Sequence, residues 1–253
     1  MSFGGSGLMM LYQFGVAEVL AASPLMERVE RVHGTSGGAI AAFLLLERPE
    51  AIGDCVDFYT EGRFFEGLTL GDVLSPHDAL LRRTFDRLGL LRPGASGRVA
   101  GRFVARATAF KGGDWPSNVA LEVDGAGGDG AILTNISASC CFDFAGVDVA
   151  GRRLWDGGLS EPLSRDASLP TVEVSIISGA AHVWPGGAAP LGVDDAPEAQ
   201  RHPFLRYDWT PANAVALLEG ACLTPARARR RFDQGRADAA TFLELSGLPE
   251  CAS

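Results

Sequence analysis

The sequence predicts an α/β domain, a sheet with helices on both of its faces. Three observations carry that expectation. The chain opens in the order strand, glycine loop, helix, strand, glycine-flanked serine, helix. Its 253 residues are enough for one large domain with a sizeable core. Hydrophobic residues make up 47% and charged residues 21%, an ordinary globular composition, with no internal repeat and no linker, so residues 1–253 read as a single domain.

Each element follows from local pattern. Met1-Ser2-Phe3 reads as the end of a strand, and Gly4-Gly5-Ser6-Gly7 follows at once. A helical run from Leu8 to Ala22 stops at Ser23-Pro24. Val29 to His33 reads as the second strand, and Gly37 to Glu47 as a helix ended by Pro49. Ala39 to Leu46 is apolar all round, as in a helix buried on every side. Ala51 to Ala109 reads as mostly helical with Gly and Pro breaks. Strands are expected at Val119 to Val123, Ala131 to Ile136 and Val172 to Ile177, with a hairpin turning at Ala150-Gly151 between Val147 and Trp155. Ser178 to Pro203 is rich in Gly and Pro, and Pro211 to Leu245 reads as helical with a break at Thr224-Pro225.

Charge and cysteine content bound the function. A net charge of −9 argues against a nucleic-acid-binding protein. No run approaches the ~20 apolar residues of a membrane-spanning helix, and the N-terminus shows no secretory leader pattern. Five irregularly spaced cysteines argue against a disulfide framework and for a reducing, cytoplasmic compartment. No C-x-x-C pair or histidine cluster suggests a zinc site.

Gly34-Thr35-Ser36-Gly37-Gly38 reads as G-x-S-x-G between a strand and an apolar helix, the setting of a nucleophile elbow. A serine hydroxyl needs a base within hydrogen-bond reach. The four histidines, His33, His77, His182 and His202, have no motif around them. Asp156, in Trp155-Asp156-Gly157-Gly158 at a strand end, could accept the serine proton if burial raises its pKa; the plainer reading of Asp-Gly-Gly is a tight turn. Gly4-Gly5-Ser6-Gly7 exposes backbone N–H groups at a strand-to-helix turn, fit for an oxyanion hole. A dinucleotide site is the rival, but Met10 stands where the third glycine of G-x-G-x-x-G belongs, and the second strand ends in His33-Gly34 rather than an acid.

Taken together, Ser2 to Leu8, Gly34 to Gly38 and Asp156-Gly157-Gly158 resemble the ordered motifs of the patatin-like phospholipases, most nearly the branch of the adipose triglyceride lipase type. Leu11 to Ala17, Ser137 to Phe142 and Phe232 to Ala239 resemble further segments of that branch, so the resemblance spans nearly the whole chain. It implies a three-layer α/β/α sandwich with a mostly parallel central sheet. Ser36 and Asp156 would form a catalytic dyad without histidine, and the N–H groups of Gly5, Ser6 and Gly7 would form the oxyanion hole. The implied activity is hydrolysis of acylglycerol or phospholipid esters through an acyl-serine, with no cofactor and no metal. The implied partner is an acyl lipid, met by peripheral contact with a membrane or lipid-droplet surface.

The chain departs from the family at Met9, Met10 and Glu161, where a basic residue, a glycine and an asparagine are common, and its first strand is short enough to suggest a truncated N-terminus. Met10 and the short first strand motivate one alternative, a catalytically weak lipid-binding scaffold, and an acyltransferase would share every residue of the same dyad site. Phe64-Phe65, Leu68, Leu70 and Leu80-Leu81 are candidates for a lipid-facing surface, though core packing is the plainer reading of such residues. Arg227 and Arg229 to Arg231 form the densest basic run, read either as a phosphate contact or as a solvated helix face.

Overall fold

In a computed structural model, residues 1–63, 77–110, 116–143, 145–164, 170–177, 181–191, 210–221 and 224–248 are described. The strand that opens the chain, β1 (Ser2–Phe3), lies inside the sheet with a parallel neighbour on each side, β2 (Val32–Thr35) and β7 (Glu173–Val174). Both of its residues are fully buried, and the Met1 amine donates to the Arg31 carbonyl at 2.9 Å.

β3 (Phe103–Ala109) organises the sheet. One edge pairs along almost its whole length with antiparallel β4 (Ser117–Glu122). The other edge is shared. Parallel β2 occupies it from Phe103 to Arg106, and antiparallel β6 (Arg152–Asp156) occupies it at Ala107 and Thr108. The two strands therefore approach each other C-terminus to C-terminus. Thr35 pairs with Arg106, and Asp156 with Ala107.

β5 (Val147–Val149) joins β6 through Ala150-Gly151, whose φ angles of 52° and 76° fit the type I′ turn that matches strand twist. β8 (Val183–Trp184) runs parallel to β7, and β9 (Gly187–Ala188) turns back against β8. The centre of the sheet, β3-β2-β1-β7-β8, is thus parallel, with antiparallel pairs at its margins.

The helices are α1 (Met10–Ala21), α2 (Gly37–Glu47), α3 (Ile52–Thr60), α4 (His77–Arg87), α5 (Ala95–Val99), α6 (Asp129–Ser139), α7 (Pro211–Ala221) and α8 (Pro225–Leu245). α2 lies against β1, β2 and β3 and against α1, so its all-round apolar sequence is buried as expected. α6 lies against β3, β5 and β6. α1 crosses α8 at backbone contact. A Cβ on Gly15 would stand 2.1 Å from the Phe232 carbonyl oxygen, and one on Gly235 would stand 2.0 Å from that of Tyr12. Among the described residues, no helix is long and apolar enough to cross a membrane.

Two expectations are corrected. Phe103–Ala109 is a strand, not helix, and the run Ala131 to Ile136 lies within helix α6. β3 is buried on both faces, so it lacks the alternation that marks a half-buried strand, and its alanines favour helix locally. In α6 the buried residues Ile132, Leu133 and Ile136 follow helical spacing. Smaller differences concern boundaries. β2 begins and ends later than expected, β7 is shorter, and β8 and β9 fall within the stretch read as irregular. The 147–155 hairpin and the break before Pro225 stand as read.

Candidate active site

Ser36 sits between β2 and α2 with φ 53° and ψ −129°. A non-glycine residue at positive φ stores strain on the order of 1–3 kcal/mol. The neighbouring glycines make the turn feasible: a Cβ on Gly34 would lie 2.4 Å from Ala39 Cα, one on Gly38 2.4 Å from the Gly4 oxygen, and one on Gly37 2.5 Å from Ser6 Oγ. The Ser36 N–H donates to Ser139 Oγ at 2.8 Å, and the Ser139 hydroxyl donates to the Arg106 carbonyl at 2.6 Å. The last residue of α6 thereby fixes the elbow to β3.

Asp156 ends β6 and is fully buried. Its Oδ1 accepts the Gly158 N–H at 2.7 Å, and its backbone is held by Cys141 and Thr108 at 2.8 and 2.7 Å. Burial pushes the carboxyl up to about 7, against the opposing pull of the Ser36 hydroxyl and the Gly158 N–H. Asp156 Oδ2 has no hydrogen-bond partner among the described residues. Ser36 also touches Cys140, whose thiol is raised well above its usual range by burial and by the nearby Asp156.

The N–H groups of the glycine loop differ in what they meet. The Gly5 N–H donates to the Pro162 carbonyl at 2.6 Å, so this donor is committed elsewhere, although Gly5 still lines the site. No acceptor is seen among the described residues for the N–H groups of Ser6 and Gly7. The same holds for Gly37, the first residue of α2, which sequence reading did not single out. The signal for it lay in the elbow motif, because the residue after the nucleophile is a usual oxyanion donor. Ser139 was legible only as part of the small-residue segment before the aspartate.

Gly5, Ser6, Gly7, Ser36, Gly37 and Asp156 all line one cavity of about 730 Å³. The rest of its wall is chiefly apolar, including Phe14, Ile40, Leu81, Phe85 and Leu217. Among the described residues, no Lys, Arg or His lines it, and no cluster of His, Cys, Asp or Glu is placed to hold a metal.

His33 and His182 do not line the cavity. His33 Nδ1 contacts the Arg106 guanidinium at 2.8 Å, and His182 Nδ1 accepts the Glu173 N–H at 3.1 Å. His77 belongs to α4, and His202 lies outside the described residues. Leu80 and Leu81 are half-buried and line the cavity, whereas Phe64, Phe65, Leu68 and Leu70 lie outside the described residues. In the basic run, Arg227 and Arg231 face Glu219 of α7, and Arg229 pairs with Asp57 of α3. The chain matches no protein-family model, and no curated protein matches it.

Proposed function

We propose that the protein is a lipid acyl hydrolase of the patatin type, with the three-layer sandwich of that family, cleaving carboxylic esters of acylglycerols or phospholipids. One observation carries the reading. A serine on a strained elbow adjoins a buried carboxyl poised near neutrality, on the wall of an apolar cavity.

In the proposed reaction, ionised Asp156 takes the Ser36 proton as Oγ attacks the ester carbonyl. The N–H groups of Ser6, Gly7 and Gly37 receive the negative charge that forms on the carbonyl oxygen. As the C–O bond breaks, Asp156 returns the proton to the departing alkoxide, which leaves as the alcohol and an acyl-serine. Water then loses a proton to Asp156 and adds to the acyl carbon, and Ser36 leaves reprotonated with release of the fatty acid. A base pKa near the working pH suits this double duty.

Ser36→Ala should abolish turnover of p-nitrophenyl esters and covalent labelling by a fluorophosphonate, with an unchanged circular dichroism spectrum. Turnover that survives in this variant overturns the assignment. Wild-type protein that resists the probe would instead favour a lipid-binding scaffold, because labelling requires an activated serine.

A further inference from the structure

Gln13 lies in α1 with no exposed surface, yet its side chain is a full carboxamide. A buried amide persists only where its donors and acceptor find partners. Here both partners belong to the glycine loop. Gln13 Nε2 donates to the Gly4 carbonyl at 2.8 Å, and Oε1 accepts the Ser6 hydroxyl at 2.8 Å. Because a carbonyl oxygen can only accept, the Gly4 contact fixes which end of the amide points where. Ser6 Oγ in turn presses on the elbow, 2.5 Å from where a Cβ on Gly37 would stand.

We infer that Gln13 is a positioning residue: it sets the Gly4–Gly7 loop so that the Ser6 and Gly7 N–H groups face the carbonyl that Ser36 attacks. Its catalytic consequence rests on the hydrolase reading above. The loop is gripped from both flanks. The Gly4 N–H is held by Val174 and the Gly5 N–H by Pro162, while Gln13 holds the Gly4 carbonyl and the Ser6 side chain. The next two N–H groups, of Ser6 and Gly7, have no acceptor among the described residues, and both residues line the cavity. Without the amide, Ser6 Oγ loses its acceptor and the loop can rotate about Gly5 and Gly7. An oxyanion donor is worth about 10²–10³ in kcat when lost outright, so misplacing two of them matters chiefly in the transition state.

The test combines two variants with two readouts. Gln13→Met keeps the volume and removes both hydrogen bonds, and kcat on p-nitrophenyl butyrate should fall about 10–100-fold with KM nearly unchanged. Gln13→Glu keeps both bonds while its buried carboxyl is protonated. It loses the donor to Gly4 on ionising, so its activity should acquire an alkaline limb that wild type lacks. A purely structural role leaves the pH profile alone. Amide hydrogen exchange adds a readout independent of turnover: the peptide spanning residues 4–8 should exchange faster in Gln13→Met, while α8 should be unchanged. A folded Gln13→Met with wild-type kcat, or with wild-type exchange in that peptide, overturns the inference; if it does not fold, the Gln13→Glu pH profile and exchange decide. If wild type itself neither turns over ester nor labels at Ser36, the hydrolase reading fails, and exchange of the loop still decides for or against Gln13.

Discussion

Asp156 carries a charge that its surroundings resist. Burial lifts its folded-state pKa to about 7, above the ~3.9 of an unfolded aspartate. Between those values the native state binds more protons than the unfolded chain, so this residue favours folding fully only below about pH 4. That contribution is lost as pH rises through about 7. In the proposed reaction catalysis runs the other way, since Asp156 must be ionised to act as the base. Activity should therefore rise with pH along a limb centred near 7, while thermal stability falls across the same window. Asp156→Asn should lower kcat by about 10²–10⁴. It should also raise the melting temperature relative to wild type at pH 8 but not at pH 4, measured by differential scanning calorimetry; an equal effect at both pH values would refute the buried-charge account. Ser139 makes the complementary case. Ser139→Ala strands the Ser36 N–H and removes one donor from the Arg106 carbonyl, and should destabilise the fold by about 1–3 kcal/mol and depress kcat. Unchanged urea midpoint and kcat would remove Ser139 from the elbow's support. The serine, the aspartate and the glycine loop were all legible as residue types in motifs. The commitment of the Gly5 N–H to Pro162 was not, because the acceptor lies 157 positions away in the chain and only folding brings it there.

Among elements, β3 does the most for the site while contributing no side chain to the cavity wall. By giving consecutive register positions to Thr35 and Asp156 partners, it converts a sequence separation of more than a hundred residues into adjacency. It was also, with α6, one of the two elements whose type sequence reading missed. A strand covered on both faces shows no period of two, and alanine-rich segments look helical in isolation. The β1–α1 and β2–α2 units were legible, because their glycine breaks and flanking apolar runs are local signals. The α1–α8 crossing was visible only as unexplained glycines inside helical patterns. Gly235→Ala places a methyl group on the Tyr12 carbonyl oxygen of α1, and with backbone on both sides neither helix can yield cheaply. That variant should lose more than about 3 kcal/mol or fail to accumulate as folded protein. Gly53→Ala, in α3 with nothing within 4 Å of the new Cβ, should instead gain about 0.5–1 kcal/mol. Urea denaturation of the pair separates close packing from helix propensity. Similar losses in both variants would deny the crossing its role.

At the scale of the molecule, the helices α1 to α4 and α7 close an apolar chamber around the facing C-terminal ends of β2 and β6. Cationic side chains are absent from the described wall, and three of the four α8 arginines that sequence reading offered to phosphate, Arg227, Arg229 and Arg231, pair with Glu219 and Asp57 instead. Selectivity should then come from how much apolar surface the acyl group buries. Each buried methylene is worth about 0.8 kcal/mol, a factor of about four in an equilibrium. For p-nitrophenyl esters, kcat/KM should climb with acyl length, by up to about fourfold per methylene, until the chamber is filled. Ile40 lies one helical turn beyond Ser36 and lines the chamber. Ile40→Trp should shorten the preferred chain, reducing kcat/KM for the laurate ester far more than for the acetate ester, because the acetyl group stays at the elbow while a longer chain must pass the indole. Equal losses on both esters would place the acyl chain elsewhere, and a flat dependence on chain length in wild type would mean that the chamber does not hold the acyl group at all.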